Sequence, residues 1–171
     1  VRVFQNIHEP ERGPSPSSAP WPALVGFVGL ALLVAAVDGA LTQPAMRTWY
    51  LSLNRPPGTP PGWLFAPVWT TLYVMIGIAA WMAWRQPGHG RALRLWGWQL
   101  LATALWTPLF FGLHLIGAAL VESVVLLLLA GLAALAIGRL CRAAGWLMLP
   151  YLASICYATY LNAGFWWVNP A

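Results

Sequence analysis

Lysine is missing altogether from this chain of 171 residues, and its charge is carried by nine arginines against four acids. A soluble domain is about one quarter charged, whereas here the charged fraction is 8% and the mean hydropathy +0.66. So few charges cannot solvate a globular surface of this size, which excludes a soluble enzyme and points to an integral membrane protein. The formal charge of +5 comes with no basic patch on a nucleic-acid-binding motif, so no nucleic-acid partner is expected. Only two cysteines occur, Cys141 and Cys156, and their spacing offers neither a disulfide framework nor a Cys-x-x-Cys metal site. No nucleophile elbow, His-Glu-x-x-His pair, P-loop or glycine-rich dinucleotide signature is present.

Tryptophan and proline, by contrast, are abundant: twelve and fifteen. Indole suits the headgroup boundary, and this many indoles also fits aromatic walls around a cavity. Residues 1–21 are polar and proline-rich, the composition of a disordered tail rather than of a signal peptide. Five apolar runs follow, at Pro22–Leu41, Trp63–Trp84, Leu93–Leu113, Ile116–Gly138 and Gly145–Trp167. Each can cross a hydrocarbon core of about 30 Å as a helix. The expected fold is all-α, an integral membrane bundle of five transmembrane helices over 22–169.

Arginine distribution sets the expected orientation. Arg2, Arg12, Arg85, Arg91, Arg94, Arg139 and Arg142 fall on one side, and only Arg47 and Arg55 on the other. The positive-inside rule then places the N-terminus in the cytoplasm. Helical spans favour a bacterial inner membrane, or a mitochondrial one, over an outer-membrane barrel.

The segment Trp49–Tyr73 organises the chain. Pro56, Pro57, Pro60 and Pro61 fix φ and remove donors, so residues 54–61 should be a stiff, polyproline-like lid turned by Gly58 and Gly62, with no helix in the first half of the segment. Within the runs, certain side chains share single helical faces. Phe65, Trp69 and Tyr73 form one stripe, Gln99, Thr103, Trp106 and Phe110 a second, and Tyr151, Ala158, Asn162, Phe165 and Asn169 a third. Polar groups are costly in lipid, so Gln99, Thr103 and Asn162 should turn inward. One stripe alone is satisfied by core packing; three together point to a pocket. The fourth run instead carries a ridge of small residues, Ala130, Ala134 and Gly138, suited to close helix approach within the chain or between two copies. Asp38 and Glu122 fall inside the runs, where an acid either marks a function or reaches water near the interface or a lid arginine. They come without the other groups of a catalytic constellation.

Three stretches, WYLSLNRPPGTPPGWLFAPVWTTLY, QLLATALWTPLFF and PYLASICYATYLNAGFWWVN, occur in the order found in the TspO/MBR family, that of the tryptophan-rich sensory proteins and translocator proteins, also called peripheral-type benzodiazepine receptors. The chain resembles that family over about residues 38–169. The resemblance implies a five-helix bundle, often a homodimer, with a pocket closed by the first loop. It implies porphyrin or haem-like tetrapyrroles as ligands rather than as a required cofactor, and for some members sterols or benzodiazepine-type drugs. The pocket positions carried over are Trp49, Arg55, Trp63, Trp69, Tyr73, Gln99, Thr103, Trp106, Phe110, Tyr151, Ser154, Ala158 and Asn162. Arg55 replaces the usual Lys, Gly58 an aromatic residue, Thr103 an Asn and Ser154 a Trp, and no Lys or Arg follows Tyr160 to complete a sterol-recognition pattern. The functions compatible with this are a sensor or carrier for planar ligands, a membrane enzyme that degrades them, or a partner-binding protein with a reduced pocket. His89 and His114 lie in short loops away from the stripes, which does not favour a haem-iron ligand.

Overall fold

The structure, a computed structural model, describes residues 21–170. The expected tail over 1–21 therefore lies outside the described residues, apart from Trp21, which opens the first helix. Among the described residues all regular structure is helical: α1 (Trp21–Met46), the single turn α2 (Trp49–Ser52), α3 (Phe65–Trp84) after a 3₁₀ turn at Gly62–Leu64, α4 (Gly90–Thr107), α5 (Ile116–Leu140) and α6 (Arg142–Val168). Three stretches are long and apolar enough to cross a membrane, Trp21–Met46, Gly62–Trp84 and Ile116–Leu140. With α4 and α6 they close a ring in the spatial order α1, α3, α6, α5, α4.

Two expectations about the lid are corrected. The first helix does not stop at Leu41 but runs to Met46 through Pro44. The Pro44 carbonyl then takes hydrogen bonds from the Arg47 N–H and, at 3.0 Å, from the Thr48 hydroxyl, which ends the helix. The first half of the lid segment also contains a helical turn, Trp49–Ser52. Proline restricts only its own residue and the one before it, so the constraint begins at Arg55 and leaves residues 49–52 free to coil. Beyond them the chain is extended apart from a tight turn at Pro56–Thr59. There the Thr59 N–H reaches the Pro56 carbonyl and Gly58 has φ +88°. This is the type II pattern, Pro at the second position and Gly at the third, where φ must be positive.

Packing divides the bundle into two halves. In the half away from the lid the core is built of small residues, including Ala79, Ala80, Ala83, Ala130, Ala133 and Ala144, with Trp96 donating its indole N–H to the Ile76 carbonyl at 3.1 Å. Small residues let helices approach. A Cβ on Gly145 would sit 2.7 Å from the Gly138 Cα, and one on Gly77 would sit 2.8 Å from the Val28 Cα. The ridge of α5 is thus used inside the chain, Gly138 against α6, with Ala130 and Ala134 buried. In the half beneath the lid the residues are large and aromatic, and there the helices leave space.

Candidate ligand-binding site

Pro108 governs the local geometry of the site. It has no N–H to give to the carbonyl four residues back, and the helix widens there into one π turn at Pro108–Gly112, closed by the Leu113 N–H on the Pro108 carbonyl at 2.8 Å. One regular helix over 93–113, which the sequence predicts, would direct Phe110 inward and Phe111 aside. The extra residue in the turn lets both line the cavity. Phe110 is the hub of the aromatic cluster under the lid. Trp106 stacks on it at 5.0 Å, and Trp49, Phe111 and Phe165 meet it edge-on at 5.6, 4.9 and 5.8 Å. Such offset and edge contacts suit the ring quadrupoles. His114, the only non-glycine residue with positive φ among the described residues, stacks on Trp49 at 4.1 Å.

Below this cluster lies a cavity of about 270 Å³ lined from α1, α3, α4, α5 and α6. Seven of the thirteen expected site residues line it: Trp69, Tyr73, Thr103, Trp106, Phe110, Ala158 and Asn162. The other six lie elsewhere. Trp49 packs above the cavity against Phe110 and His114. Arg55 sits on the lid with its guanidinium 5.4 Å from the Tyr50 ring centre. Burial pushes the Tyr50 hydroxyl above its usual range, and the Arg55 charge opposes part of that rise. Trp63 is 74% exposed. Gln99 and Tyr151 are fully buried one layer down, outside the cavity wall, and Ser154 is half-buried and not part of it.

The polar groups are few and placed. Trp106 donates its indole N–H to Asn162 Oδ1 at 2.9 Å, and Asn162 Nδ2 donates to the Ile116 carbonyl at 2.9 Å. Asn162 thereby fixes the indole plane to the start of α5. Thr103 Oγ1 lies 2.6 Å from the Tyr151 hydroxyl. Tyr73 donates to Asp38 Oδ2 at 2.8 Å, while Asp38 Oδ1 is buried without a partner. Among the described residues no arginine or histidine lines the cavity, and Asp38 is its one carboxylate. Among the described residues no cluster of metal-ligating side chains occurs.

Of the wall from α1, sequence reasoning singled out only Asp38. Ala35, Asp38, Gly39, Thr42, Gln43 and Met46 all face the cavity. Their spacing of three and four is that of one helical face, of which Thr42, Gln43 and Met46 come into view only because the helix runs on past Leu41.

The lid segment reaches the cavity through Tyr50 and Gly62, and the proline turn between them is held on α6. Tyr157 donates its hydroxyl to the Gly58 carbonyl, and Tyr160 donates to the Pro57 carbonyl at 3.3 Å. Pro56 is buried against Gly164, where an added Cβ would come within 2.6 Å of the Pro56 ring. The position where an aromatic residue is usual, Gly58, is therefore the turn of the lid, with the Tyr157 hydroxyl lying beneath it.

A helical membrane protein with a lidded, aromatic-lined cavity is the class that this fold and site define. The TspO/MBR family model matches residues 27–168. The chain is 37% identical over 158 residues to the translocator protein of Bos taurus, covering 88% of this chain and 92% of that protein. It is 37% identical over 142 residues to the tryptophan-rich sensory protein of Cereibacter sphaeroides, covering 83% and 88%. With the tryptophan-rich protein TspO of Chlorobaculum tepidum the identity is 33% over 147 residues, covering 84% and 93%. The chain belongs to the TspO/MBR family.

Proposed function

We propose that this protein is a five-span membrane receptor or carrier for planar, largely apolar molecules of the tetrapyrrole kind, held between α3, α4 and α6 beneath the lid. The observation that carries this reading is the cavity itself, an aromatic and aliphatic enclosure with a few oriented polar groups, which is the usual make-up of a small-molecule site. A ligand gains about 25 cal/mol per Å² of apolar surface buried there. The names of the relatives, translocator and sensory protein, favour binding as the core activity.

Electrostatics give the ligand a direction. A tetrapyrrole carrying acidic side chains is repelled by Asp38 and attracted by Arg55 and Arg47 at the lid, so its acids face outward and its apolar edge inward. The cavity of about 270 Å³ is smaller than the ~300–1,000 Å³ of most ligand pockets, so a macrocycle enters with the surrounding side chains displaced.

The test is a titration of the detergent-purified protein with protoporphyrin IX, read by tryptophan quenching. Saturable quenching at micromolar ligand, weakened tenfold or more by Trp106→Ala and severalfold by Arg55→Ala, is the expected result. Linear quenching that is the same in all three proteins would overturn the reading.

A further inference from the structure

Far from the lid, a second concavity of about 340 Å³ lies between the first half of α4 and the last turns of α5. Its walls are apolar, chiefly Leu95, Leu132, Leu135 and Leu140, and Arg91 and Arg139 line it as well. Leu132 and Leu135 are exposed on a helix apolar enough to cross a membrane, so the groove opens toward the bilayer. We propose that it is a binding site for one anionic phospholipid, with an acyl chain along the leucines and the phosphate between Arg91 and Arg139.

Three observations support the anionic headgroup. Both arginines are exposed, one in the first turn of α4 and one in the last turn of α5, where the hydrocarbon gives way to headgroups. Among the described residues that end of the bundle also carries Arg85, Arg94 and Arg142 and no acid, since Asp38 and Glu122 sit toward the lid. Among the described residues, therefore, no carboxylate neutralises the cations of the groove. The start of α4 adds unpaired backbone N–H groups and the positive end of its dipole. Gly88, which also lines the groove, turns with φ +76°, and beside it a ring nitrogen of His89 lies 2.8 Å from the Gln86 carbonyl, which ties that loop down. Guanidinium pairs prefer phosphate for its geometry as well as its charge. A basic pocket between helices on the arginine-rich side is the arrangement that recognises acidic lipid headgroups.

The site is independent of the lidded cavity, and its test can be read without a porphyrin. The full chain in neutral detergent is titrated with dioleoyl phosphatidylglycerol, with dioleoyl phosphatidylcholine and with glycerol phosphate, and retained molecules are counted by native mass spectrometry. One phosphatidylglycerol should be retained in preference to phosphatidylcholine, and glycerol phosphate should neither be retained nor compete. Each arginine near an anionic surface contributes about fivefold in affinity, so R91Q/R139Q should weaken retention about 25-fold. The charge-matched control R94Q/R142Q should change it less than threefold, and Leu132→Trp, which fills the groove and keeps both charges, should lower it at least tenfold. Equal losses in the two double variants would mean diffuse surface attraction and overturn the site. So would equal retention of the two lipids, competition by glycerol phosphate, or no effect of Leu132→Trp.

Discussion

The side chain of Asn169 pairs with both backbone groups of Asn54: its Oδ1 accepts the Asn54 N–H at 2.9 Å and its Nδ2 donates to the Asn54 carbonyl at 3.0 Å. One amide thus imitates a neighbouring strand and fastens the entry of the lid to the end of α6. A further bond, from Asn169 Nδ2 to the Phe165 carbonyl at 3.0 Å, holds the amide in place. The lid is stiff by its prolines but docked by side chains of one helix, which permits it to open as a unit.

Asn169→Ala should therefore free the lid without unfolding the bundle. A hydrogen bond contributes about 0.5–1.5 kcal/mol, so losing this pair should raise the opening of the lid about 5–150-fold. Hydrogen exchange at the Asn54 amide, which is bonded to Asn169 Oδ1, measures this. Unchanged exchange at Asn54 would show that the amide pair does not hold the lid.

Two glycine substitutions should separate lid from bundle. At Gly164 a Cβ would meet the Pro56 ring at 2.6 Å, and at Gly145 it would meet the Gly138 backbone at 2.7 Å. The lid can lift away from the first clash, whereas α5 and α6 must part to relieve the second. Gly164→Ala should speed exchange in 54–59 and leave the thermal midpoint in detergent within a few degrees of wild type. Gly145→Ala should lower the midpoint markedly, overpacking of a tight contact costing about 1–3 kcal/mol. Equal effects of the two on the midpoint would mean that the lid is part of the cooperative unit.

Much of this was legible in the sequence, and what was missed has local causes. The stripe Gln99, Thr103, Trp106 and Phe110 has an interior face because helical periodicity is unbroken up to Thr107, and the inward turn of Gln99, Thr103 and Asn162 follows from the cost of polar groups in lipid. The stripe fails at Phe111, because a π turn adds a residue that no 3.6 period contains. The outer part of the α1 wall, Thr42, Gln43 and Met46, lies beyond Leu41, where the apolar run ends although the helix continues through Pro44 to Met46. Resemblance to the family placed Gln99 and Ser154 in the pocket, but it cannot tell a residue that touches the cavity from one a layer behind it. Only packing separates those.

Gln99 makes that distinction measurable. Its side-chain amide is fully buried with neither Nε2 nor Oε1 hydrogen-bonded, and it does not line the cavity. A buried unpaired amide costs free energy, and a methionine of similar shape removes that cost. Gln99→Met should leave the thermal midpoint equal to or above that of wild type and the porphyrin titration unchanged. A tenfold loss of binding with an intact fold would place Gln99 at the ligand.

The Trp106–Asn162 pair should behave in the opposite way. Asn162→Leu removes the acceptor of the Trp106 indole N–H and a side-chain donor to the Ile116 carbonyl, leaving the half-buried indole N–H unpaired. The expected cost is about 1–3 kcal/mol, seen as a lower thermal midpoint, together with weaker porphyrin quenching as the indole loses its fixed plane. The two effects share one cause, so they should be separable by chemistry. Asn162→Gln can still present an amide and should recover part of the binding, whereas Trp106→Phe in the Asn162→Leu background should recover stability, because it removes the orphaned N–H, but not quenching. If that double variant were no more stable than Asn162→Leu alone, the orphaned indole N–H would not be the source of the loss.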